Sequence, residues 1–155
     1  MSKYIYNPNL KGKHRAFNQQ MFNKYDIPAR KIIKESLGDF VVDNPDEFKQ
    51  DLVVTDETCK YKYIEIQVCI NWIDNNYPYE KVYLHERKSC YNEDTLFITL
   101  NKDMTRGHIF SAKGIKDMNL RRIKKYSREY VYDVPWHRVL PIIIDDLSPA
   151  AIKLY

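Results

Sequence analysis

A chain of 155 residues fits one domain and can bury a hydrophobic core without disulfide staples. Its 44% hydrophobic and 30% charged residues, with only four glycines, exclude a fibrous or largely disordered protein. The formal charge of +4 is mildly basic, and no apolar run approaches the roughly 18 residues that a membrane span needs.

Residues 1–15 hold Pro8, Gly12 and the basic cluster Lys11, Lys13, His14 and Arg15, which predicts an irregular basic arm on a single domain spanning 1–155. Residues 16–37 are expected to be helical with a break at Asp26-Ile27-Pro28. Pro28 suits a first turn, Asp26 a cap, and Gly38 a stop. Ala29, Ile32, Ile33 and Leu37 then form a buried stripe.

The period next changes to two. Phe40-Val41-Val42 and Leu52-Val53-Val54-Thr55 read as strands, separated by the turn-forming Asn44-Pro45-Asp46. The longest strand is expected over 61–69, with Ile64, Ile66 and Val68 on one face and Tyr63, Glu65, Gln67 and Cys69 on the other. Residues 70–80 read as a loop or short helix, and 82–86, 95–100 and 108–112 as further strands. Residues 116–130 read as a helix, 131–144 as edge or irregular extended chain because of Pro135 and Pro141, and Ser148-Pro149 as the start of a short final helix. The order predicts a mixed α/β (α+β) domain, a central mixed β-sheet flanked by helices.

Cys59, Cys69 and Cys90 form no CxxC pair and have no histidine at zinc-ligand spacing, and Cys69 reads as a buried small hydrophobe. An odd cysteine count without a leader-like start predicts an intracellular, reducing compartment: cytoplasm, nucleus or, for a viral protein, virion.

Three acids occur in order: Glu35 near the end of the early helix, Asp51 just before the strand at Leu52, and Glu65 on the strand after it. Fourteen positions separate Asp51 from Glu65, enough for a strand, a turn and a return strand, so antiparallel pairing brings them together. Magnesium takes carboxylate oxygens and keeps several waters, so such a pair can hold it against a phosphate. A polar residue two positions on, here Gln67, shares the face of Glu65 and can orient water.

This pattern resembles the PD-(D/E)xK superfamily of restriction-type and resolvase-type nucleases over residues 30–70. The resemblance implies a restriction endonuclease-like fold and Mg2+- or Mn2+-dependent hydrolysis of DNA. Asp51, Glu65 and Glu35 would be metal ligands, and Asp51, Glu65 and Gln67 or Lys88 catalytic residues. Gln50 rather than proline precedes Asp51, and a literal Pro45-Asp46 lies upstream. Gln67 stands where that superfamily usually has lysine. Lys88 can fill that role, or Glu86-x-Lys88, ending the strand from Val82, is itself the acid-x-lysine pair with Glu65 as the preceding acid. The Asn/Tyr/Lys-rich strands are also similar to nuclease-fold proteins of large DNA viruses.

Lys113, Lys116, Arg121, Arg122, Lys124, Lys125 and Arg128 cluster against a single acid, Asp117. On a helix they spread opposite Leu120, Ile123, Tyr126 and Tyr130, a face suited to the phosphate backbone of DNA rather than to base readout. A catalytically inactive DNA-binding or virion structural protein of the same fold is the alternative function. Membrane partners are not expected, and a homodimer stays open.

Overall fold

The computed structural model describes residues 19–123 and 129–155, so the basic arm at 1–15 lies outside the described residues. The architecture is three-layered. A six-stranded mixed sheet occupies the middle, with strand order β1-β2-β3-β5-β6-β9. These strands are β1 (Val41–Asp43), β2 (Leu52–Val54), β3 (Tyr63–Val68), β5 (Thr95–Leu100), β6 (Arg106–Ser111) and β9 (Leu140–Ile143). One face carries the helices α1 (Gln19–Met21), α2 (Ile27–Leu37) and α3 (Pro149–Leu154). The other is covered not by helices, as expected, but by a second sheet of order β4-β8-β7, built from β4 (Val82–His85), β8 (Tyr130–Val134) and β7 (Leu120–Arg122).

Alternation along the central strands explains the two cores. Leu96, Ile98 and Leu100 on β5 and Ile109 on β6 pack with Ala29, Ile33 and Leu37 of α2 and Ile152 of α3. Their neighbours Phe97 and Phe110 point the other way and pack with Val82, Leu84, Tyr132 and Val134 of the second sheet. A strand covered on both faces is buried along its whole length, and all six residues of β5 are buried, the two threonines hydrogen-bonded to Gln50 and Gln67.

β1, β2 and β3 form an antiparallel meander, and β5 then lies parallel to β3. Parallel neighbours need a long crossover. Here it runs through β4 of the second sheet and a 3-10 turn, Glu86–Cys90.

The early helix is continuous rather than broken. A π-helical turn, Phe22–Asp26, joins α1 to α2, so Asp26 has helical dihedrals and its side chain makes no capping hydrogen bond. Pro28, which cannot donate, is the second residue of α2, directly after this π-helical turn. At the far end, Ser148 caps α3 by accepting from the Ala151 amide. Ser148→Ala should lower stability by about 1 kcal/mol in urea denaturation, the usual worth of such a cap.

The expected helix over 116–130 is not formed in its described part. Residues Ile115–Asp117 make a 3-10 turn and Leu120–Arg122 form β7, paired to β8 in the register Arg121↔Val131. The helical spacing of Leu120 and Ile123 was outweighed by pairing to β8, which the Arg121–Asp133 ion pair (2.8 Å) reinforces. Pro141 sits on β9, an edge strand of the central sheet, where a missing donor is tolerated. Among the described residues no helix is long and apolar enough to cross a membrane. Cys59, Cys69 and Cys90 are free thiols, with Cys69 buried as expected.

Candidate functional site: an acid pair at the start of β2

The β2–β3 register pairs Leu52 with Ile64 and Val53 with Tyr63, so the next cross-strand step sets Asp51 opposite Glu65. The two acids interlock through backbone. The Asp51 amide donates to Glu65 Oε1 at 3.1 Å, and the Ile66 amide donates to Asp51 Oδ2 at 2.9 Å. Two cations complete the cluster. Arg30 of α2 reaches Asp51 Oδ1 at 2.9 Å, and Lys88 Nζ lies 3.3 Å from Glu65 Oε2. All four carboxylate oxygens therefore face a donor.

The cluster sits at the end of an apolar row. Across the sheet Glu65 registers with Phe97 and Phe97 with Phe110, so Glu65 shares the face covered by the second sheet. Side-chain exposure is 4% for Glu65 and 11% for Lys88, then 14% for Asp51 and 35% for Arg30, so the pair opens toward solvent on the α2 side. Burial pushes the Glu65 carboxyl up to about 7; Lys88 pulls it down against this, and the Asp51 charge adds to the rise. Tyr91 carries a buried hydroxyl without a hydrogen-bond partner. Burial first, and then the charges of Glu65, Cys90 and Asp51, raise its ionisation well above the ordinary tyrosine value, so it persists as a neutral O–H.

Lys88 rather than Gln67 meets the acid. Gln67 Nε2 donates to Thr99 Oγ1 at 2.6 Å, a neighbour on β5, and Gln50 Nε2 donates to Thr95 Oγ1 at 2.9 Å in the same buried layer. The expected acid-x-lysine strand end is also revised. β4 stops at His85, and Glu86–Cys90 is a 3-10 turn that buries Lys88 and leaves Glu86 exposed, so the two do not share a strand face. The same turn sends Arg87 to the buried Glu129 at 3.1 Å, which anchors the turn one residue before Lys88.

Glu35 does not join the pair. It is exposed and lines a groove of about 430 Å³ with Ile27, Arg30, Lys31, Lys34 and Asp43, and α2 meets Asp51 through Arg30 instead. The described basic residues do not share a helix face. Lys113 and Lys116 lie in exposed turns, Arg121 and Arg122 on the exposed edge strand β7, and Lys124, Lys125 and Arg128 lie outside the described residues.

Comparison with protein-family models, with curated proteins and with solved structures finds no match.

Two carboxylates on neighbouring strands are the hard oxygen donors that magnesium or manganese takes. Among the described residues no group of three or more His, Cys, Asp or Glu gathers into a cage. A two-carboxylate site suits an ion that keeps most of its waters, as magnesium does. To take such an ion, Arg30 would have to give up Asp51 Oδ1 and Glu65 would have to share Oε2 with Lys88. Arg30 was missed because nothing in helical periodicity tells which cation of α2 faces the sheet end; Thr95 and Thr99 carried a faint signal, polar residues alternating with Phe97 in an otherwise apolar strand.

Proposed function

We propose that the chain is a metal-dependent nuclease-like protein that hydrolyses phosphodiester bonds of DNA, with Asp51 and Glu65 as ligands of Mg2+ or Mn2+. The supporting observation is that Asp51, Glu65 and Lys88, dispersed in sequence, converge at the start of β2 around a nearly buried carboxylate. Buried acids with shifted protonation beside a specific cation concentrate at functional sites. The acid at the start of β2 and the acid on β3 also follow the order of the PD-(D/E)xK resemblance, and the helix-first, mixed-sheet architecture agrees with a restriction endonuclease-like fold.

When bound, the ion would supply an activated water and offset charge on the scissile phosphate. The chain's own residues do the rest. Lys88 opposes the effect of burial on Glu65 and favours its ionised, ligating form. The Ile66 amide orients the Asp51 carboxylate, and the Asp51 amide orients Glu65. Lys88 is also a donor beside the cluster, able to face an attacking water or a phosphate oxygen. Gln67, tied to Thr99, steadies the layer beneath. Exposed Lys113, Lys116, Arg121 and Arg122 offer diffuse attraction to the DNA backbone.

A second reading is favoured by one observation: each oxygen of the acid pair already faces a donor, so the cluster can serve as a staple in an inactive DNA-binding or virion structural protein. Purified protein incubated with plasmid and Mg2+ or Mn2+ separates the two. Cleavage that disappears in Asp51→Asn and Glu65→Gln, with folding preserved by circular dichroism, is the expected result. DNA binding without cleavage and without any effect of metal would remove the enzyme and leave the second reading.

A further inference from the structure

The edge strand β9 is apolar along its length, which is a hazard at the rim of a sheet. With its flanks it reads Val139-Leu140-Pro141-Ile142-Ile143-Ile144, an aliphatic run interrupted by one proline. Short segments of high β-propensity, without charge and without proline, are the ones that pair with copies of themselves. Leu140, Pro141 and Ile143 are exposed. Among the described residues no strand pairs with the outer side of β9. At the opposite rim of the same sheet β1 ends in the charged Asp43, and β7, an edge of the second sheet, carries Arg121 and Arg122. Charge of that kind discourages edge-to-edge pairing. β9 has none.

The ladder fixes which way each backbone group of β9 points. The Ile144 N–H donates to the Thr105 carbonyl at 2.9 Å, continuing the register that sets Ile143 opposite Arg106 and Ile142 opposite Gly107. In an antiparallel pair, opposed residues alternate between those that bond to each other and those that do not. Because Thr105 and Ile144 bond, so do the pairs Gly107–Ile142 and Ile109–Leu140. Pro141 and Ile143, opposite His108 and Arg106, therefore turn their backbone groups outward. The residue that lacks an N–H thus lies on the open rim. There it breaks no bond inside the sheet, and it removes a donor that an added strand would use. The Val139 N–H already donates to the Trp136 carbonyl. Of positions 139, 141 and 143, that leaves the Ile143 N–H as the outward donor.

We infer that Pro141 is an edge guard that keeps a second copy of this chain from extending the central sheet through β9. In an antiparallel pair of β9 strands the outward residues of one copy face those of the other. Each copy's missing N–H then removes one hydrogen bond, two per dimer, from a contact whose strands are four residues long. The exposed Leu140 and Ile143 supply apolar attraction. The proline withholds the backbone bonding that would turn such a contact into a continuous sheet.

The test restores the donor. Pro141→Thr returns the N–H on a β-branched residue without adding apolar surface. Full-length wild type and variant are compared by sedimentation equilibrium over a concentration series, with folding checked by circular dichroism. The variant should self-associate roughly tenfold more tightly than wild type, as two regained hydrogen bonds require. Ile143→Lys in the Pro141→Thr background should return association to the wild-type level, because a charge on the same rim opposes pairing. If the threonine variant does not fold, Pro141→Ala takes its place, since it too carries the N–H. A folded variant that associates no more than wild type overturns the inference. Added association that Ile143→Lys leaves intact also overturns it, because the copies then meet elsewhere. So does association of the wild type that Ile143→Lys alone disperses, because β9 would then pair in spite of its proline.

Discussion

Lys88→Met should destabilise the protein by about 3 kcal/mol at pH 8.5 and by almost nothing at pH 5, as read from urea denaturation at the two pH values. Lys88 and Glu65 are both nearly buried and 3.3 Å apart. Removing one partner of such a pair leaves an uncompensated buried charge, which costs far more than the intact pair contributes. The charge can escape that cost by taking a proton, and this makes the effect pH-dependent. The folded-state Glu65 carboxyl titrates near 7, above its ordinary 4.5. The folded chain therefore binds a proton that the unfolded chain releases. The resulting stabilisation is complete below about 4.5 and drains away as pH rises through about 7. Without Lys88 the folded value moves higher still, and the loss extends into the alkaline range. At pH 5 Glu65 is largely protonated in both proteins, so little depends on the lysine. An equal deficit at both pH values would mean that Lys88 contributes by packing and not by charge.

The second large effect is expected from Phe97→Ala, a loss of about 3–5 kcal/mol. Phe97 has no exposed surface, stacks on Phe110 with ring centroids 5.5 Å apart, and belongs to the core between the two sheets. Truncation removes the transfer free energy of the ring and leaves a cavity that two sheets, each held by its own hydrogen-bond ladder, cannot readily close. The same residue registers beside Glu65 on β5. Opening that wall admits water to the carboxylate, relieves the burial that raises its ionisation, and should flatten the fall of stability between pH 5 and 8. A drop below ~1 kcal/mol in denaturation would show that the second sheet collapses onto the gap. An unchanged pH profile would show that Phe97 does not control the hydration of Glu65.

Both effects trace to one design feature. The acid cluster lies where an apolar row of the central sheet runs out, at the margin of the cover supplied by the second sheet. Phe110 and Phe97 are followed across the strands by Glu65 and then Asp51. Each step outward lowers the apolar demand and raises solvent access. That gradient places one carboxylate in a setting where its proton is contested near neutrality and the other within reach of an ion from solvent.

Local chemistry alone determined much of the fold. Period-two alternation marked β2, β3, β5 and β6 within a residue or two at their ends, Ser148-Pro149 marked α3, and the spacing of Ala29, Ile33 and Leu37 marked the buried stripe of α2. The pairing of Asp51 with Glu65 was also legible, because a strand, a short turn and an antiparallel return leave one register that keeps Leu52 and Ile64 in the core. Tertiary structure alone decided the rest. Residues Leu120–Arg122 carry helical spacing but form a strand because β8 offers them a hydrogen-bonding partner. Lys88 rather than Gln67 reaches Glu65 because the crossover between two parallel strands returns a 3-10 turn over the acid, and Arg30 rather than Glu35 reaches Asp51 because of how α2 is rotated on the sheet. Periodicity reports which face of an element is apolar. It carries no information about which long, charged side chain at the rim of that face finds an opposite charge, because that depends on the distance between elements far apart in the chain.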